Sequence, residues 1–306
     1  MNPIQFSLDN TGCSVTYIAP SRKFGNLREE LNKDALLINK ELGPVYVGFS
    51  SGLDSQVILR CFLDMNCDFI PFFVHIEGKN DFEHEMVLQS EKFYGIDVEK
   101  HKLRLEDYQD KWLAHSKEHN IPTCLHYPLV HVISNLSEKF PIITSGANEP
   151  CFVGTTKSVV SIYHNYHEPM RLRFNQIQEV RDVFDFPYTS ESLASYYCDD
   201  ILKTYAITSQ YFKNNNLAYV DTNALLPSSD YFNIYVKPFV KGKHFGKDIL
   251  YPSKKTGFEL FPPELLGDRT RPKNSRVSVN YDQLVEHLEK CDGSSKTFSS
   301  WDYPDY

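Results

Sequence analysis

Residues Val45–Ser55, VYVGFSSGLDS, constrain this chain more than any other stretch. Val45, Tyr46, Val47 and Phe49 form an apolar run of strand type, and the segment after the turn carries Val57, Ile58, Cys61, Phe62 and Met65 at helical spacing. Between them lies a turn of small residues, Ser50, Ser51 and Gly52. Such a junction is a ready anion site, because the N–H groups of the turn and first helical turn have no partner within the helix. The hydroxyls of Ser50, Ser51 and Ser55 add donors, and Gly52 lets the backbone approach a ligand closely. Asp54 is the odd member: a carboxylate beside phosphate is repulsive unless a divalent cation lies between, which makes Asp54 a candidate metal ligand. No Lys follows the turn, so the GxxxxGK[ST] phosphate loop does not fit. An ordinary βα turn rich in Ser and Gly is the plainer alternative.

The surrounding pattern predicts an α/β fold. Residues Ile4–Leu8 and Ser14–Ile18 read as two strands around a turn at Asp9–Gly12, and Asn26–Leu42 reads as a helix stopped by Gly43 and Pro44. Strands and helices then alternate: Val45–Phe49, a helix from Asp54 to about Asn66, strand Phe69–Ile76, a helix over Asp81–Tyr94 with Asp81 as its N-cap, and strand Asp97–Leu103. A helix over Leu105–Glu118, another near Tyr127–Glu138 and strand Pro141–Ser145 continue the series. This alternation predicts a doubly wound, mostly parallel sheet whose ligands sit beyond the carboxyl ends of the strands. Past residue 150 the period is irregular: Val159–Tyr166 and Phe174–Val183 fit strand or helix, Ser190–Asn214 fits a helix, and a helix follows Asn280. The expected division is 1–42, a hairpin and helix; 43–165, a nucleotide-binding unit; 166–290, an irregular and mostly helical accessory region; and 291–306, a mobile tail rich in Ser and Asp.

Bulk properties narrow the class. The chain has 306 residues, 41% of them apolar, and a net charge of −8, which argues against a broad basic footprint and leaves nucleic acid a less favoured partner. No run approaches the ~20 apolar residues of a membrane span, and MNPIQFSLDN lacks the regions of a signal peptide. Seven cysteines form no CxxC pair, so they read as reduced thiols and the expected location is the cytoplasm. Cys61 reads as core packing.

Ser50-Ser51-Gly52-Leu53-Asp54-Ser55 resembles the SGGxDS signature of the PP-loop ATP pyrophosphatase superfamily, with Ser51 where that family most often has its first Gly. A second segment, Ile142–Glu149 (IITSGANE), resembles the SGxGxDE segment of asparagine synthetase-like members. On that match Ser145, Gly146 and Glu149 correspond, and Asn148 replaces a metal-associated Asp while still offering an oxygen. The plain alternative there is a strand end with an Asx-type turn. The resemblance covers about residues 43–155 and implies an adenine nucleotide alpha hydrolase-like (HUP-type) sheet, with ATP and Mg²⁺ as cofactors. It places Ser50, Ser51, Gly52, Leu53, Ser55, Ser145 and Gly146 against the nucleotide, Asp54 and Asn148 at the metal, and Asp54 and Glu149 in the chemistry, Glu149 as base or orienting carboxylate. The loop from His75 to Asp81 stands where such proteins hold adenine and ribose, so His75 is either a ligand contact or a packed histidine. Asn80 and Asp81 are candidates for the ribose, with helix capping the simpler role for Asp81.

A lysine-rich stretch, Lys237–Lys247, sets four lysines, His244 and two glycines in an acidic chain. Either it folds over a triphosphate, with Lys241 and Lys243 neutralising charge on departing pyrophosphate and Lys247 binding phosphate, or it is a solvated hairpin. The reaction implied by the resemblance activates a carboxylate, carbonyl or amide oxygen of a small acceptor as its adenylate, releases pyrophosphate, and passes the activated group to a nitrogen nucleophile. Position 2 is Asn rather than the Cys of a glutaminase half, so the nitrogen is expected from ammonia, an amine or a separate protein. The layout is also similar to stand-alone bacteriophage-encoded PP-loop proteins, and a homodimer is compatible with it. Other readings remain open. A tRNA-modifying enzyme would show a basic surface, and Cys124 and Cys151 are placed to reach its site; a sulfonucleotide reductase would need a nucleophilic Cys near its C-terminus, and Cys291 lacks that family's surrounding residues; a sensor would bind ATP without turnover.

Overall fold

The computed structural model describes residues 3–9, 12–118, 132–133, 135–136, 138–145, 158–159, 183–186, 188–200 and 279–299. The chain opens on two antiparallel strands, β1 (Ile4–Asp9) and β2 (Gly12–Ile18), with Gln5 opposite Thr16. Helix α1 (Leu27–Leu42) follows, its N-terminus capped by the Asn26 side chain, which accepts from the N–H of Glu29 at 3.1 Å. Gly43 ends it at φ 75°, a left-handed region that glycine enters without penalty, and its N–H donates to the Asn39 carbonyl.

The alternating region then builds one parallel sheet. Its strands are β3 (Val45–Gly48), β4 (Phe69–Ile76), β5 (Glu99–Leu103), β6 (Ile142–Ser145) and, after the two-residue β7 (Ser158–Val159), β8 (Val183–Phe186). The spatial order is β5-β4-β3-β6-β8, all parallel. The chain therefore winds outward from β3 through β4 to β5, returns to the other side of β3 for β6, and winds outward again. Helices α2 (Leu53–Asp64), α3 (Asp81–Tyr94) and α4 (Leu105–Glu118) make the connections. The reversal of direction lies between β3 and β6, so the crevice of a doubly wound sheet opens at their carboxyl ends.

Alternation along β3 assigns the two faces. Val45 and Val47 pack with Val57, Ile58, Cys61 and Phe62 of α2, all fully buried, and with Leu31, Ala35 and Ile38 of α1. Each Val, Leu, Ile or Phe side chain among them contributes about 1.5–3 kcal/mol when removed from water. Tyr46 points the other way, edge-on to Phe72 at 6.0 Å and tilted against Phe140 at 5.8 Å. A second cluster of Phe49, Leu59, Phe73, Val87 and Val98 fixes α3 on the sheet. Cys61 is core, as its spacing indicates.

Helix α5 (Ser190–Tyr197) is joined to α1 by a buried carboxylate. Asp34 accepts from the Tyr188 N–H at 2.7 Å and from the hydroxyls of Thr189 and Ser192, both at 2.5 Å. Burial pushes the Asp34 carboxyl up to about 6 against the pull of these donors. Strand β9 (Val279–Asn280) pairs with β7, and α6 (Tyr281–Leu288) follows with Asn280 as N-cap.

Three expectations are corrected. The helix expected over Ser190–Asn214 is broken after Tyr197, where Cys198 caps it by donating its N–H to the Ala194 carbonyl; Asp200 is helical again, and 201–214 lie outside the described residues. The expected mobile tail contains a strand, β10 (Ser295–Ser299), which pairs with β2 and brings Phe298 edge-on to Tyr17 at 5.9 Å. Asp81 is not the N-cap of α3: Asn80 holds that position, and Asp81 opens the helix with its carboxylate turned back to His75. Residues 132–133 and 135–136 are helical within the expected Tyr127–Glu138 helix. Most of that segment, Val159–Tyr166 and Phe174–Val183 beyond their described ends, and 201–278 lie outside the described residues.

Candidate nucleotide site

Strand β3 delivers the chain to the switch point. Phe49 is buried, and its N–H donates to the Phe72 carbonyl at 2.8 Å, tying the end of β3 to β4. Ser51 then adopts φ 57° while its side chain is 1% exposed. A left-handed conformation costs a residue with a Cβ roughly 1–2 kcal/mol. Side chains from two helices oppose that cost. The Ser51 and Ser90 hydroxyls lie 3.0 Å apart, and Gln56 Nε2 donates to the Ser51 carbonyl at 2.8 Å. Gln56 is held in turn by the Tyr94 hydroxyl, which donates to its Oε1 at 2.7 Å.

Gly52 caps α2 with φ −65° and ψ 160°, extended backbone open to any residue. The left-handed position falls one residue earlier than the glycine, on Ser51. Gly52 supplies no capping side chain, so nothing at the N-cap shields the first N–H groups of α2. The helix's own bonds begin with the Gln56 N–H donating to the Gly52 carbonyl at 3.0 Å, and the amides of Leu53, Asp54 and Ser55 precede it. Those amides, with the positive end of the helix dipole, suit an anion.

The hydroxyls divide differently from the sequence expectation. Ser55 Oγ donates to the Gly52 carbonyl at 2.9 Å and Ser51 Oγ pairs with Ser90, so both serve the turn itself. Ser50, half-buried, accepts from the Gly52 N–H at 3.4 Å. Asp54 is the second residue of α2, in the first turn where a negative charge is favoured; its side chain and that of Leu53 lie outside the described residues.

Strand β6 lies directly beside β3, with Tyr46 opposite Ile142 and Val47 opposite Ile143. That register carries Ser145, the last residue of β6, level with Phe49, so the two segments singled out in the sequence leave the sheet side by side. The Ser145 side chain, Gly146, Asn148, Glu149, Lys241, Lys243 and Lys247 lie outside the described residues.

His75, on β4, is largely buried. Its Nε2 lies 2.6 Å from Asp81 Oδ1, and its ring stacks on His84 with centroids 4.2 Å apart. The hydrogen bond to His75 holds the Asp81 carboxyl below the usual range, and burial together with His75 lowers His84. Asn80 Oδ1 accepts from the Ile76 N–H at 2.8 Å, and its Nδ2 donates to the Val74 carbonyl at 3.0 Å. Asn80 and Asp81 thus shape the loop after β4 with their own polar atoms. Among the described residues, no group of three or more His, Cys, Asp and Glu side chains is placed to hold a metal. No helix among them is long and apolar enough to cross a membrane.

Sequence reasoning did not single out Gln56, Ser90 or Tyr94. A signal was present: Ser90 and Tyr94 follow Val87 at helical spacing, on the face of α3 that meets the sheet.

No family model matches the chain, and no curated protein matches it. Among solved structures, the NMN synthetase from Francisella tularensis is similar over 41% of this chain, at 12% identity and a TM-score of 0.31; the match spans 54% of that synthetase, about half its length. The NH3-dependent NAD synthetase from Campylobacter jejuni, in complex with nitrate, is similar over 87% of this chain and 93% of its own, at 13% identity and a TM-score of 0.34. Likeness at this level leaves the functional reading to the chain's own residues.

Proposed function

We propose that the protein is an ATP-dependent, AMP-forming ligase that adenylates an oxygen of a small acceptor and passes the carbon group so activated to a nitrogen nucleophile, the oxygen leaving with AMP. The observation that carries this reading is the Ser50–Ser55 turn, set at the switch point of a parallel sheet and leading into a helix whose N-terminus has no capping side chain. The motif resemblance supplies the nucleotide, and the fold supports it by bringing the end of β6 beside the turn.

In this reading, the amides of Leu53, Asp54 and Ser55 bind the β- and γ-phosphates, and Ser50 borders them. The oxygen donors of Asp54 and Asn148 suit Mg²⁺, which would offset phosphate charge. Glu149 orients or deprotonates the attacking group, and Lys241, Lys243 and Lys247 stabilise charge on pyrophosphate. The acceptor oxygen bonds to the α-phosphorus as the bond to pyrophosphate breaks; the nitrogen nucleophile then displaces AMP. A carboxylate is a poor electrophile and its adenylate a good one, which is the reason for using ATP. An asparagine synthetase-like ligase acting on a small acceptor is the specific form proposed.

The test is purified protein with Mg²⁺ and α-labelled ATP, with and without a small-molecule extract. AMP and pyrophosphate that depend on the extract support the reading. ADP as product contradicts it, and ATP binding without turnover in any fraction favours a non-catalytic nucleotide sensor.

A further inference from the structure

The peptide between Ser51 and Gly52 is the most constrained unit of the turn, and the groups that constrain it come from outside the motif. Its carbonyl accepts from Gln56 Nε2, whose own carbonyl is fixed by the Tyr94 hydroxyl, while Ser90 holds the Ser51 side chain. Ser51, Gln56 and Ser90 are at most 1% exposed. The amide of Gln56 has only one workable orientation here: the Ser51 carbonyl can only accept, so nitrogen must face it, and the oxygen is left for Tyr94. A trans peptide points its C=O and N–H in opposite directions. Drawing the Ser51 carbonyl toward Gln56 therefore turns the Gly52 N–H to the other side, where it donates to the Oγ of the half-buried Ser50 at 3.4 Å. If the peptide flipped, a carbonyl oxygen would replace that donor at a site for anions.

From these contacts we infer that Gln56, Ser90 and Tyr94 are positioning residues that hold the Ser51–Gly52 peptide in its anion-binding orientation. They do for Ser51 what a glycine does at no steric cost, since glycine enters the left-handed region freely. The inference rests on the reading of the turn as a nucleotide site, and it extends that reading to α3, which no motif residue occupies. The buttress matters because the strained residue is Ser51; a glycine there needs less support.

The experiment compares Gln56→Leu and Tyr94→Phe in two backgrounds, the natural Ser51 and Ser51→Gly. Equilibrium binding of Mg·ATP and urea unfolding are measured for each. With Ser51, Gln56→Leu is expected to weaken ATP binding about tenfold and Tyr94→Phe about threefold. With Ser51→Gly, both losses shrink to within about twofold, so glycine rescues the missing buttress. A merely structural role predicts lower unfolding midpoints with unchanged affinity of the folded protein; that result, or equal losses in both backgrounds, overturns the inference. If Gln56→Leu does not fold, Tyr94→Phe carries the same comparison. If the natural protein binds no ATP, the proposed function falls while the buttress is still decided by unfolding. Midpoint shifts of the Gln56 and Ser51 substitutions that fail to add support it, and additive shifts overturn it.

Discussion

Replacing Ser51 by Gly and, separately, by Ala isolates the cost of the turn's geometry. Both substitutions remove the Ser51 hydroxyl and leave the buried Ser90 hydroxyl without that partner, a loss of about 1–3 kcal/mol in either case. They differ in the backbone. At φ 57°, Ala keeps a left-handed penalty of about 1–2 kcal/mol that Gly escapes. Gly in return loosens the unfolded chain, which costs about 0.4–1 kcal/mol. At mid-range values the difference leaves Ser51→Gly more stable than Ser51→Ala by roughly 0.8 kcal/mol. Urea unfolding at a shared slope reads it as a difference in midpoint. The neighbouring Ser50 is the control, because it is not among the described residues of positive φ: there Ala should match or exceed Gly. If Ser51→Ala equals or exceeds Ser51→Gly, the turn does not hold a left-handed residue at this position, and the account of why Ser can stand in for glycine fails.

Asp54→Asn should abolish formation of AMP and pyrophosphate while leaving the unfolding midpoint within about 0.5 kcal/mol of the natural protein; unchanged turnover removes Asp54 from the chemistry. Asp34→Ala strips an acceptor from Tyr188, Thr189 and Ser192 and should cost about 3 kcal/mol or more in urea unfolding, whereas a loss under about 1 kcal/mol refutes the clamp between α1 and α5. Because burial raises Asp34 above the ordinary carboxylate value to about 6, its contribution favours the fold at low pH and declines as pH rises from about 4 through 6. The difference in stability between the natural protein and Asp34→Asn should therefore vary with pH across that window, and a flat difference contradicts it. Phe298→Ala should lower stability by about 1–2 kcal/mol, since Phe298 packs on Tyr17; no change would return β10 to a loose tail.

Much of the central sheet is legible in the sequence because its elements carry two independent signals. Strand Phe69–Ile76 is apolar apart from His75, as suits a strand covered on both faces, and its bounds agree with the structure. Helix α1 starts within a residue of its expected bound and stops at Gly43 as expected, but the face it buries is Leu27, Leu31, Ala35 and Ile38, while Leu36 is exposed. Strand β10 escapes notice because SKTFS is polar and short, and only the free edge of β2 and the ring of Tyr17 give it a partner. The true cap of α3 was obscured by a contact between His75 and Asp81, which no local pattern reveals. Asp34 is a visible anomaly, a carboxylate among Leu31, Ala35 and Ile38 on the buried face of α1, but its partners lie more than 150 residues away.

At the site, the motif locates the turn without giving its conformation. Its glycine sits in ordinary extended backbone, and the demanding position belongs to Ser51. The resemblance marks that position, since Gly is usual there, yet it does not reveal that Gln56 and Ser90 make Ser tolerable. These contacts pair residues up to 39 positions apart and exist only once α3 packs on the sheet.

Hydrogen–deuterium exchange of the whole chain with and without Mg·ATP tests the central claim, that the Ser50–Ser55 turn and the start of α2 hold the nucleotide's phosphates. The first amides of α2 are the ones left without helical partners, so phosphate binding should slow exchange in peptides covering residues 49–57 more than elsewhere in the sheet. Protection focused there, and lost in Asp54→Asn, is the predicted result. Saturating Mg·ATP that leaves those amides unprotected, or protects a distant surface instead, contradicts the account.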